Sequence, residues 1–222
     1  MARFPTTQAV RGFYNRFGSK QDAQAWYEDP AVDRMLAQSG LETSRAVLEI
    51  GCGTGRLAMR LLQGLMPADA TYTGIDLSQT MVGLTKERTW PWRQRVTLHE
   101  GSVQTQVSLP PESFDHIVSA FVFDIFSPEQ IRDTLALSHR WLRPRGRLCL
   151  VSLAPGQTPV TAAVSKAWSV LHRVSPLTVG GCRPVALAPF VQAPQWHTLH
   201  HSQVATYGLN AEVLVAERMT TP

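Results

Sequence analysis

The sequence predicts an α/β fold: a doubly wound, mostly parallel seven-stranded sheet with a C-terminal antiparallel hairpin. Three observations carry that expectation. Five short apolar runs, near 46–50, 71–76, 95–100, 114–120 and 146–153, alternate with helix-like stretches near 55–65, 78–88 and 128–142, the pattern of βαβ units. A glycine-rich turn, Gly51-Cys52-Gly53-Thr54-Gly55, leads directly from the first run into a helical pattern. Two further strand-like stretches, 196–207 and 211–218, flank a turn containing Gly208. Crossovers between parallel strands are right-handed. Ligands of such sheets bind at the carboxyl ends of the strands, where Glu49, Gly51, Asp76, Ser102 and the segment after Ser119 fall.

The first element, Val47-Leu48-Glu49-Ile50, runs into three glycines at alternate positions. Glycines so spaced let the backbone turn off a strand and approach a ligand closely, and a helix N-terminus after them presents free N–H groups. The dinucleotide fingerprint places its third glycine three residues after the second. Here Arg56 holds that position and the third glycine comes early, at Gly55. Glu49 would also repel a pyrophosphate, whereas it suits a cationic group such as an amine. No G-x-x-x-x-G-K-[ST] stretch occurs, which excludes a Walker-type loop.

The second strand, Tyr72-Thr73-Gly74-Ile75-Asp76-Leu77, ends in an acid suited to accept hydrogen bonds from ribose hydroxyls. Ser78 has the chemistry to N-cap a helix carrying Met81, Val82 and Leu84. The third strand, Arg95 to His99, is followed by Gly101-Ser102-Val103. The fourth is Ser113-Phe114-Asp115-His116-Ile117-Val118-Ser119-Ala120, and Leu142-Arg143-Pro144-Arg145-Gly146 turns into the fifth.

Together E-x-G-x-G-x-G, G-I-D-L-S-x-x-M, F-D-x-I and L-x-P-x-G resemble, in order, the motifs of the class I S-adenosylmethionine-dependent methyltransferases. The resemblance covers roughly residues 45–155. It implies a Rossmann-like fold and S-adenosyl-L-methionine as cofactor, with S-adenosyl-L-homocysteine as product. It also implies a cofactor site drawn from Glu49, Gly51, Cys52, Gly53, Gly55, Asp76, Leu77, Met81, Ser102, Val103 and Ser119. In the family the acid before the glycine loop orients the amino end of the cofactor. An acid usually follows the third strand to meet the adenine amine; Ser102 stands at that position in this chain.

On this reading residues 1–222 form one methyltransferase domain, with a cofactor-binding core over 45–155. Residues 8–40, which carry Phe13, Tyr14, Phe17, Trp26 and Tyr27, resemble an N-terminal helical lid, with Asp22 a helix cap and Pro30 a break. Residues 159–195 form an insertion lining the acceptor pocket, with a helix from Val160 to Arg173. Residues 196–218 form the terminal hairpin.

Composition narrows the class of function. No stretch approaches about 18 unbroken apolar residues, so no transmembrane helix is expected. The N-terminus lacks a signal-peptide apolar region. Three cysteines without a C-x-x-C pair read as reduced thiols in a cytoplasmic setting, and Cys52 reads as a small residue packing under the loop. The net charge of +4 and pI near 9.3 invite a nucleic-acid reading. The basic residues are scattered, however, and the densest run, Arg140 to Arg147, meets a helix C-terminus where cations are favourable. Ser119-Ala120-Phe121-Val122 replaces the N/D-P-P-Y/F motif by which amino-methylating nucleic-acid enzymes resemble one another.

Asp124 follows the fourth strand and is either a general base or orienting carboxylate, or a helix cap or arginine partner. Tyr14 and Tyr27 either reach an acceptor or pack as lid aromatics. Arg183, beside Cys182, either recognises an anionic substrate or holds a loop. His197 and His201 share a strand face, His200 points away, and no carboxylate stands nearby in sequence, so an edge-strand surface is expected and no metal site. His116 and His139 are expected to face solvent or a neighbouring helix. The expected function is methyl transfer to a small apolar or aromatic acceptor. Action on RNA or protein, and a non-catalytic cofactor-binding module, are the alternatives.

Overall fold

Seven strands form one sheet in the structure, a computed structural model that describes residues 4–105 and 107–220. They are β1 (Ala46–Ile50), β2 (Thr71–Asp76), β3 (Val96–Glu100), β4 (Phe114–Ala120), β5 (Leu142–Leu153), β6 (Trp196–Thr206) and β7 (Leu209–Arg218). Their order is β3-β2-β1-β4-β5-β7-β6. The first five pair in parallel, and β7 inserts antiparallel between β5 and β6. The α/β fold and its terminal hairpin are as the sequence pattern predicts. Strand order reverses at β1, which lies between β2 and β4, so a ligand crevice opens at that switch point.

Helices cover both faces. The lid comprises α1 (Thr7–Phe17), a 3-10 segment Gly18–Gln24 and α2 (Ala25–Ser39). After β1 comes α3 (Arg56–Arg60), which widens into a π-turn over Leu61–Leu65, so the expected single α-helix is shorter and looser than its pattern suggests. Then follow α4 (Gln79–Arg88), α5 (Pro128–Trp141) and α6 (Pro159–Val174). Ser78 caps α4 by accepting from Met81 N at 3.2 Å, as its position predicts. α5 opens on a reciprocal box, Ser127 with Gln130, behind a proline whose missing N–H costs nothing there.

The two faces bury separate apolar clusters. Leu48, Ile50, Ile75, Ile117, Leu148 and Trp141 pack on one side. Val47, Tyr72, Val118, Val151, Val213 and Met35 pack on the other. Strands buried on both faces read as continuous apolar runs, which is why β1, β4 and β5 were visible in the sequence. Each fully buried Leu or Ile contributes about 1.5–3 kcal/mol by leaving water.

Several details depart from expectation. Pro30 does not break the lid; it sits inside α2. The bond lost in the second turn is outweighed by burial of Ala31, Val32 and Met35 and by Arg56 and Arg60, which pair with Glu28, Asp29 and Asp33. Asp22 lies within the 3-10 segment rather than at a cap, and it accepts from Arg88 Nη2 (2.7 Å) and Thr54 Oγ1 (2.5 Å). β5 starts at Leu142, four residues early, through a register shift against β4 at a bulge where Arg145 takes φ +63°. Of the two placements expected for His116, the structure takes the neighbouring helix: its Nε2 donates to Ser39 O at the end of α2 (2.9 Å) and its Nδ1 accepts from Ser44. His201 does meet a carboxylate, Glu212 across the hairpin (2.7 Å), which sequence distance concealed. Among the described residues no group of three or more His, Cys, Asp or Glu side chains could hold a metal. No helix among them is long and apolar enough to cross a membrane.

The turn after β1 uses its glycines in two ways. Gly51 (φ +75°) lies under Val122, whose Cγ2 would stand 2.2 Å from an added Cβ. Gly55 (φ +81°) lies against α4, with Thr85 Cα 2.9 Å from the same hypothetical atom. Gly55→Ala should therefore lower stability by about 1–3 kcal/mol through left-handed strain and backbone crowding. Thermal denaturation reads this directly, and an unchanged midpoint would contradict it.

Candidate active site

The site is built where β1 and β2 end. Gly51 N and Cys52 N both donate to Ile75 O, at 2.7 and 3.0 Å. The Asp76 carboxylate then accepts from Gly53 N and from Ser78 N, each at 2.9 Å. Each carboxylate oxygen retains lone-pair capacity for a further donor. Burial pushes the Asp76 pKa up to about 6 against those two backbone bonds.

An open cleft, about 850 Å³ counting space open to solvent, lies over these strand ends. Gly51, Gly53, Asp76, Leu77, Ser102 and Val103 line its floor. Phe121, Val122, Ile125 and Phe126, after β4, form one wall, and Val10 and Tyr14 of the lid form another. A second space of about 500 Å³ adjoins it across the glycine loop and is bordered by Glu49, Cys52, Glu28, Asp22 and Arg56. Gln21 borders both, with its Oε1 buried and unpartnered.

Most of the expected cofactor residues therefore converge on one place. Gly55, Met81 and Ser119 do not line it: Gly55 packs on α4, Met81 is buried, and Ser119 Oγ donates to Ile50 O (2.8 Å). They shape the floor from behind. Cys52 is buried beneath the loop, and burial pushes its thiol well up. The Ser102 hydroxyl donates to Gln104 Oε1 (2.9 Å), and Gln104 Nε2 donates to Thr134 Oγ1 (2.8 Å). Sequence reasoning missed Gln21, Gln104 and Gln130, all cleft-lining. No motif marks a lone glutamine; only its place after β3 could have singled out Gln104.

The lid is tied down on both sides of the cleft. Arg11 Nε donates to Leu77 O (3.2 Å), and Ser78 Oγ donates to Asn15 Oδ1 (2.6 Å). Tyr14 OH reaches the insertion, donating to Gly180 O (3.2 Å) with Cys182 Sγ at 3.9 Å. Tyr27 stacks edge-on against Phe121, with ring centroids 5.9 Å apart. Asp124 stands behind the wall. Its Oδ2 accepts from Leu153 N (3.2 Å), its carbonyl accepts from Arg183 N (3.0 Å), and Oδ1 has no partner. Arg183 donates through Nη2 to Phe126 O (2.8 Å) and lies over the Phe4 ring.

Four carboxyl groups around this space are held above the ordinary range by burial: Glu49 at about 8, Glu28 and Asp124 at about 7, and Asp76 at about 6. Glu49 accepts from Tyr72 OH at 2.7 Å, which only partly offsets its desolvation. An acid with a raised folded-state pKa is neutral in the fold while it ionises in the unfolded chain. Its stabilising contribution is therefore complete below the unfolded pKa and is lost as pH rises towards the folded one. Accordingly, Glu49→Gln and Asp124→Asn should raise the melting temperature at pH 8 relative to the parent and leave it nearly unchanged at pH 4. Equal effects at both pH values would contradict the assignment of neutral carboxyls.

Comparison with known proteins agrees with this geometry. A family model described as a methyltransferase domain matches residues 47–146. A curated malonyl-[acyl-carrier protein] O-methyltransferase of Halalkalibacterium halodurans is 31% identical over 113 residues, which cover 50% of this chain and 40% of that protein. The chain thus spans less than half the length of that relative. Among solved structures, magnesium protoporphyrin IX methyltransferase of Synechocystis, with bound S-adenosylhomocysteine, superposes with a TM-score of 0.70 at 17% identity, covering 96% of this chain and 99% of that one. The [4+2]-cyclase SpnF superposes at 0.73 and 16% identity, covering 98% of each chain. Such identities carry the fold alone; the ordered motifs and the matched domain carry the family. Residues 47–146 match a methyltransferase domain, and the relatives and structural neighbours support a class I S-adenosylmethionine-dependent methyltransferase.

Proposed function

We propose that the protein transfers the methyl group of S-adenosyl-L-methionine to a small, apolar or aromatic acceptor enclosed between the lid and the wall that follows β4. The observation that carries this reading is the single cleft in which the glycine loop, Asp76, Leu77 and Val103 face an apolar wall of Val122, Ile125 and Phe126 under Tyr14. The name of the curated relative, an O-methyltransferase, supports an oxygen acceptor.

The residues present fit the cofactor. Gly51 and Gly53 bring bare backbone to the cleft, the free lone pairs of Asp76 suit two ribose hydroxyls, and Leu77 and Val103 offer apolar surfaces to a purine. Glu49 and Glu28 border the adjoining space, where carboxylates suit an ammonium group. When bound, S-adenosylmethionine supplies an electrophilic methyl on a sulfonium, so the protein's main tasks are alignment and exclusion of water. Tyr14 from the lid and Phe126 from the wall after β4 perform them by closing the cleft. Asp124, with a pKa of about 7 and an unpartnered oxygen, stands behind the wall, so it takes a proton from an acceptor hydroxyl only if the wall at Ile125 and Phe126 moves aside.

Asp76→Ala should weaken S-adenosylhomocysteine binding by about tenfold or more, the worth of one charge-assisted hydrogen bond. Titration calorimetry measures it, and unchanged affinity would remove the assignment. Asp124→Asn should retain cofactor affinity while turnover falls and the acidic limb of the pH–rate profile near pH 7 disappears. A variant with parental rate and profile would make Asp124 a scaffold only.

A further inference from the structure

α6 is turned inside out. Its inward positions, spaced four, three and four apart, are Thr161, Ser165, Trp168 and His172. Thr161 completes the N-cap with Thr158, Ser165 Oγ accepts from Gly156 N (2.8 Å), and Trp168 Nε1 donates to Cys182 O (2.9 Å). Its outward positions are Val160, Ala163, Ala167, Val170 and Val174. The three valines are 68%, 56% and 78% exposed, where burial would stabilise each by about 1.5 kcal/mol or more. Leu171 adds to the same face.

The spacing of that stripe is three, four, three, four: the seam by which one helix packs along another. Lys166 and Arg173, seven residues apart and both exposed, flank the seam on one side, where interhelical ion pairs form. No carboxylate occurs anywhere in 159–174. Beside the stripe, the exposed Trp26 and Tyr207 rings stack edge-on (5.3 Å), and Gly208 of the same turn lies against Val164. Contiguous exposed apolar surface of this kind marks an interaction face.

We propose that the outward face of α6 docks an acidic amphipathic helix of a partner protein. Charge decides against a second copy, because two such helices would bring Lys166 and Arg173 together with no carboxylate on α6 to answer them. Shape decides against a lipid surface. Ala163 and Ala167 leave hollows between the valines into which the side chains of a facing helix fit, whereas the bulky side chains that bilayer-seated helices present lie here only at the edge of the seam, at Leu171, Trp26 and Tyr207.

The test uses the full chain and a labelled synthetic helix of three heptads, with Leu on its seam and Glu on both flanks, read by fluorescence anisotropy. The control is the same helix with Lys in place of Glu. The acidic helix should bind about tenfold or more tighter than the basic one, and the preference should shrink with added salt. Val170→Asp should reduce that binding by about tenfold or more. The surface double variant Lys166→Glu/Arg173→Glu should reverse the preference while retaining the parental melting temperature. No binding of the acidic helix, equal binding of both helices, or an unchanged preference in the double variant would overturn the proposal. So would a dimer in sedimentation, or binding to anionic phospholipid vesicles, that Val170→Asp abolishes.

Discussion

Asp76 joins two pieces of chain that parallel pairing alone leaves free. β1 and β2 run side by side to Ile50 and Ile75, and beyond them the loop must turn without a strand partner. Two N–H groups fold back onto Ile75 O, and the Asp76 carboxylate takes the next, from Gly53, while also holding Ser78 N. The loop is thus fixed at the angle that exposes Gly51 and Gly53 to the cleft. Ser78, held by the same acid, starts α4 and receives the lid through Asn15. Floor, helix and lid are all referenced to one buried carboxylate.

That arrangement has an electrostatic consequence. The lid and the insertion meet above the floor, through Tyr14 and Gly180, and bury several acids in the process. Burial alone raises these groups towards neutrality, which suits a site that receives a positively charged donor. An ammonium or sulfonium placed among Glu49, Glu28 and Asp76 favours their ionised forms, so charge on the ligand and charge on the protein appear together. On the proposed function, the buried acids weaken the free protein and strengthen its complex. Perturbed groups gathered in a cleft are a physical signature of a functional site.

The parts written in local sequence were legible. β1, β2 and β4 declare themselves as apolar runs, Ser78 as a cap, and the three glycines as a turn that only glycine tolerates. The parts set by distant partners were not. Pro30 reads as a break because the arginines that hold α2 together lie 26–30 residues away. His116 reads as facing either solvent or a neighbouring helix, and the sequence does not choose between them because its partners, Ser39 and Ser44, precede it by more than 70 residues. Glu212 is invisible beside His201 until the hairpin closes. At the site, Gly51, Asp76 and Val103 were found by motif, whereas Gln21 and Gln104 are positioned only by the fold. α6 shows the converse case. Its apolar stripe is plain in the sequence, yet the face that the fold buries is the polar one.

The central claim is that this cleft holds S-adenosylmethionine with its reactive end beneath Tyr14. A crystal structure of the protein with S-adenosylhomocysteine tests it most directly. The account predicts ribose hydroxyls within hydrogen-bond distance of Asp76, the purine between Leu77 and Val103, and the sulfur facing the space under Tyr14. A nucleoside bound elsewhere, or a cleft without ligand at saturating concentration, would contradict it.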